Sequence, residues 1–80
     1  MDNPLDFLDF VDVLKHGDPS KWKFRGLKPG SGADANSLDA PPGTLKIYEI
    51  YVDDFDDEIE LHYFRHPDGT VSGVKVTPRS

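Results

Sequence analysis

The stretch LKIYEIYVDDFDDEIELHYFRHPDGTVSGVKVT, residues 45–77, decides the fold. It reads as three strands, 45–52, 58–65 and 70–77, joined by two turns. In the second, Ile59, Leu61 and Tyr63 alternate with Glu60, His62 and Phe64. That is the period of two that sends successive side chains to opposite faces of a sheet, and the apolar set should face the core. His66-Pro67-Asp68-Gly69 places Pro and Gly where a tight turn wants them. The first strand is apolar on both faces, with Leu45, Ile47 and Tyr51 on one and Tyr48, Ile50 and Val52 on the other. Such a strand belongs at the centre of a sheet, or it presents a patch used for association.

Upstream, residues 21–27, KWKFRGL, alternate as well. Trp22 and Phe24 should point one way, and Lys21, Lys23 and Arg25 the other. Residues 28–44 carry three prolines, three glycines and one large apolar side chain, Leu38, so they read as a mobile surface loop. At the N-terminus the spacing predicts a helix over 3–16. Asn3 can cap it, Pro4 suits its first position, and Gly17 and Pro19 end it. Phe7, Leu8, Phe10, Val11 and Leu14 fall on one face, while Asp2, Asp6, Asp9 and Asp12 line the other. The expectation is one domain over 1–80, of α+β class, with an N-terminal amphipathic helix packed on a three- to four-stranded antiparallel meander.

Eighty residues bury too little surface for a large core, and no cysteine is present to staple the chain. A partner or a homodimer contact would supply extra burial. Nine Lys and Arg against fifteen Asp and Glu leave a net charge of −6. That balance argues against direct nucleic-acid binding and against anionic membranes, and it favours a basic partner. The segment MDNPLDF lacks a basic n-region and an apolar core, so it is expected not to be a signal peptide. A cytoplasmic location is expected.

The tip of the first hairpin and the start of its second strand carry six carboxylates in eight residues, Asp53, Asp54, Asp56, Asp57, Glu58 and Glu60. A calcium loop needs a central Gly and a Glu at its twelfth position. Here Phe55 interrupts the acids and no Gly does, so neither a metal nor another cofactor is expected. The acids read instead as a solvated hairpin tip or as a docking surface for a basic protein, and the docking reading, built from Asp53, Asp54, Phe55, Asp56, Asp57 and Glu58, makes the chain a non-catalytic binding module. Phe55 would be its apolar anchor.

Acid–base chemistry offers an alternative. His62 and His66 have the right kind of group, and Lys46, Arg65 and Lys75 can stabilise an anion from neighbouring strands. The order helix, basic strand, Pro/Gly loop, then TLKIYEIYV, EIELHYFR, HPDG and TVSGVKV resembles the C-terminal nuclease modules of bacterial polymorphic toxins and colicin-type ribonucleases, over residues 44–77. The resemblance implies a twisted antiparallel sheet and metal-independent cleavage of RNA. His62 and Arg65 would carry that chemistry, with Glu60 as their partner.

Overall fold

The computed structural model describes residues 1–35 and 40–79. It is an α+β fold: one short N-terminal helix and a five-stranded antiparallel sheet. The strands are β1 (Lys23–Leu27), β2 (Ala33–Asp34), β3 (Leu45–Val52), β4 (Glu58–Arg65) and β5 (Val71–Pro78). They lie in the order β1-β3-β4-β5, with the two-residue β2 also pairing β3. The strand that is apolar on both faces is therefore central.

Register assigns the faces. Ile47 lies opposite Tyr63, Glu49 opposite Leu61 and Tyr51 opposite Ile59. Leu61 in turn pairs with Val76 of β5. On this face Ile47, Leu61, Tyr63 and Val71 form the buried core, and Leu5, Leu8, Leu45, Tyr51, Val74 and Val76 pack around it. Trp22 extends the cover. Its ring sits 6.0 Å from that of Tyr51, and its indole N–H donates to the His16 carbonyl at 2.9 Å. Phe24 meets the same Tyr51 ring at 5.5 Å, so Trp22 and Phe24 share a face as their alternation requires.

The N-terminal segment differs from the single helix expected over 3–16. It forms a 3₁₀ turn at Pro4–Phe7, an extended residue at Leu8, and then the helix α1 over Phe10–His16. Asp9 causes the break. Its carboxylate accepts from the Asp12 N–H at 2.9 Å, and the Asp12 carboxylate accepts from the Asp9 N–H at 3.3 Å. This reciprocal cap starts a new helix three residues after the first turn. Gly17 ends α1 at φ 76° as expected, and a Cβ there would collide with the Asp54 side chain.

The break also re-aims the apolar residues. Leu5 and Leu8 reach the core, whereas α1 buries none of its side chains. Phe10 stays 74% exposed and Leu14 64%. No helix among the described residues is long and apolar enough to cross a membrane.

Residues 28–35 and 40–44, expected as a structureless loop, are organised against β3 where they are described. Lys28 donates its N–H to the Tyr48 carbonyl, and Gly32 to that of Lys46. Ser31 Oγ accepts from the Tyr48 N–H at 2.9 Å. Ala35 is buried and bonds to Thr44. The exposed edge of a central strand supplies the partners that such a polar segment needs. Leu38 lies outside the described residues.

Candidate functional site

The acidic run folds inward. Asp53 is 3% exposed. Its Oδ1 accepts from the N–H groups of Phe55 at 2.8 Å and Asp57 at 2.9 Å, and its Oδ2 meets His16 Nδ1 at 3.0 Å. Burial alone would raise its pKa. The hydrogen bonds from Asp57, His16 and Phe55 outweigh that and hold the carboxyl below its ordinary value. Asp54 accepts from the Asp18 N–H at 3.1 Å, and its own N–H donates to the His16 carbonyl. Glu58 pairs with Arg79 at 3.0 Å. Of the six residues expected to dock a partner, Phe55, Asp56 and Asp57 stand exposed with no bonded side chain of their own. Asp53, Asp54 and Glu58 brace the turn and its flanks.

The sheet's second face is a separate surface. Along β4 it carries Glu58, Glu60, His62 and Phe64. Register sets Ile50 opposite Glu60, Tyr48 opposite His62 and Lys46 opposite Phe64 on β3. On β5 it sets Thr77, Lys75 and Ser72 opposite the same three β4 residues. Glu60 is the hub, 7% exposed. One of its oxygens bonds His62 Nε2 at 2.8 Å and Lys28 Nζ at 3.2 Å, and the other bonds Arg79 Nε at 3.2 Å. The hydrogen bond from His62, with Lys28 adding to it against the cost of burial, holds the Glu60 carboxyl below its ordinary value.

His62 also stands edge-on to the Tyr48 ring, with centroids 4.6 Å apart. Beside it, Lys46, Tyr48, Phe64, Gly73 and Lys75 line a depression of about 220 Å³. Among the described residues of this face, Lys28, Lys46, Lys75 and Arg79 are gathered against Glu58 and Glu60. This face is thus locally cationic on a chain whose total charge is −6.

The structure brings Glu60 and His62 together and separates them from Arg65. Three residues along a regular strand reverse the face. Arg65 lies on the covered side, where Nη2 donates to the Tyr63 hydroxyl at 3.0 Å and the guanidinium stands 5.6 Å from that ring. Lys28 and Arg79 were not expected in this site. Counting by twos from His62 finds Glu60 and excludes Arg65. Lys28 and Arg79 lie beyond the strand ends, and only register brings them in. No family model matches the chain, and comparisons with curated proteins and with solved structures return no match.

Proposed function

We propose that the chain is an acid–base ribonuclease whose centre is the Glu60–His62 pair on the open sheet face. The observation that carries this reading is a hydrogen-bonded carboxylate and imidazole, 2.8 Å apart, on a face whose remaining charges are mostly cations. An ionised carboxylate only accepts, so the neutral His62 ring carries its proton on Nε2 and keeps a lone pair on Nδ1. Nδ1 takes the proton of a ribose 2′-hydroxyl. The 2′-oxygen then bonds to phosphorus, and the 5′-oxygen leaves with a proton from solvent. Glu60 holds the ring and offsets the imidazolium charge. Lys46 and Lys75 stabilise the phosphate oxygens as charge builds on them. Tyr48 and Phe64 offer ring faces to unstacked bases.

The test is cleavage of an end-labelled single-stranded RNA, read as a product ending in a 2′,3′-cyclic phosphate. His62→Ala should slow it at least about 100-fold. Lys46→Gln with Lys75→Gln should weaken RNA binding and flatten its salt dependence. Arg65→Gln, on the other face, should cut at the wild-type rate. Intact RNA with the wild-type chain, or equal cutting by His62→Ala, would overturn the reading.

A second reading attaches to the other surface. The Asp54 N–H bond to the His16 carbonyl joins the end of α1 to the β3–β4 turn. The exposed apolar side chains Phe10, Val11 and Leu14 of α1 and Phe55 of the turn, with the exposed carboxylates Asp9, Asp56 and Asp57, thus belong to two elements that are joined at this bond. This surface suits a basic protein with an apolar spot. A single basic protein captured by wild type, released by salt and lost with Asp56→Asn plus Asp57→Asn is the expected result. Equal capture by both baits counts against it.

A further inference from the structure

At the far end of the open face, three side chains form a directed chain of hydrogen bonds that the proposed ribonuclease centre does not use. Ser72 Oγ lies 2.8 Å from His66 Nε2, and His66 Nδ1 lies 3.0 Å from Thr44 Oγ1. Thr44 Oγ1 also donates to the Pro41 carbonyl at 2.8 Å. A hydroxyl has one proton, and Thr44 has committed its own to Pro41. Its oxygen therefore accepts from His66, and the His66 proton sits on Nδ1. Nε2 is left with a lone pair, so Ser72 is the donor in the last link. That is the tautomer and direction in which a histidine activates a hydroxyl nucleophile.

The surroundings hold this order in place. Thr44 is 3% exposed, and its N–H also bonds Pro41. His66 is fixed by the β4–β5 turn, where its N–H donates to Thr70 and its carbonyl accepts from Gly69. Ser72 is exposed and opens a β-bulge. Phe64 pairs with Ser72 but His62 pairs with Lys75, and Gly73 between them takes φ 61°. Bulges re-aim side chains at the edges of sheets. His66 also joins Pro41, Pro67, Asp68 and Thr70 around a cavity of about 370 Å³. The two prolines give it an apolar wall.

We propose that Ser72 is an acyl-accepting nucleophile toward small carboxylic esters, with His66 as its base and Thr44 as the residue that positions the base. Ser72 Oγ bonds to the ester carbonyl carbon while its proton passes to His66 Nε2. The carbon–alkoxide bond breaks, and the alcohol leaves with that proton. Water then returns the acid and free Ser72 by the same steps in reverse. Thr44 is neutral and does not offset the imidazolium charge as a carboxylate would, so the acceleration is that of general-base assistance alone, on the order of 100-fold.

The experiment treats the full chain with a fluorophosphonate probe and, separately, with p-nitrophenyl acetate, and locates the adduct by peptide mass spectrometry. The expected adduct is on Ser72. Ser72→Ala should abolish the adduct at that position, and His66→Gln should lower the labelling rate about 100-fold. Thr44→Val should lower it too, and Thr44→Ser, which restores the acceptor, should recover it. Thermal melts run alongside show that each variant is folded. No adduct on the wild-type chain, an adduct on lysine only, or equal labelling of wild type and Ser72→Ala would each overturn the proposal.

Discussion

Leu61→Ala should lower the unfolding free energy by about 3 kcal/mol, while Leu14→Ala should leave it within about 0.5 kcal/mol. Leu61 has no exposed surface and lies at the centre of β4 among Ile47, Tyr63 and Val76. Truncation there removes buried methyl groups and leaves a cavity between a sheet and two 3₁₀-region leucines that cannot collapse far. Leu14 keeps most of its surface in water and is not part of the core cluster. For a chain of this size 3 kcal/mol corresponds to a drop of roughly 12–24 °C in melting temperature. Urea melts of both variants check the pair. A cost of more than about 1 kcal/mol at Leu14 would mean that α1 packs on the sheet in solution.

That contrast marks where the sequence is legible. Strands follow a period of two regardless of context, and β3, β4, β5 and their turns were readable from alternation and from HPDG. The central place of β3 followed from its two apolar faces. A helical period, by contrast, states only that a face exists and not that the core will receive it. Phe7, Leu8, Phe10, Val11 and Leu14 form a good stripe, yet of these Leu8 packs on the core, joined by Leu5 from outside the stripe, while Phe7, Phe10, Val11 and Leu14 stay exposed. The signal that could have shown this was Asp9-x-x-Asp12, a capping pair hidden within what looked like a solvated acidic side.

The site was half legible for a similar reason. Parity alone joins Glu60 to His62 and rejects Arg65. The cations that complete the face arrive from β3, β5 and the chain beyond β1 and β5, positions that depend on long-range register. Net charge is coarse in the same way. A total of −6 is compatible with a cationic face once Glu58 and Glu60 are paired by Lys28 and Arg79 and most other acids stand elsewhere. Composition reports the sum of the charges, whereas binding responds to the local field.

Asp53→Ala should destabilise the chain by about 3–4 kcal/mol, a large share of the roughly 4–12 kcal/mol available to 80 residues. The variant strands the N–H groups of Phe55 and Asp57 inside the turn and removes the partner of His16 Nδ1. Asp53→Asn keeps one accepting oxygen for the two N–H groups and should lose only about 1–2 kcal/mol. The pH dependence separates charge from shape. Folding holds the Asp53 carboxyl below its unfolded value of about 3.9, so the folded state favours the ionised form. Its contribution is complete above the unfolded pKa and is lost as pH falls through the folded one. Below about pH 5 the stability gap between wild type and Asp53→Asn should therefore narrow steadily as the solution becomes more acid. Denaturant melts at stepped pH measure that gap. If it widened in acid, or stayed flat to the lowest pH at which the chain folds, the buried carboxylate would not be the ion that ties the turn to α1. The depressed Asp53 carboxyl would then need another account than its bond to His16.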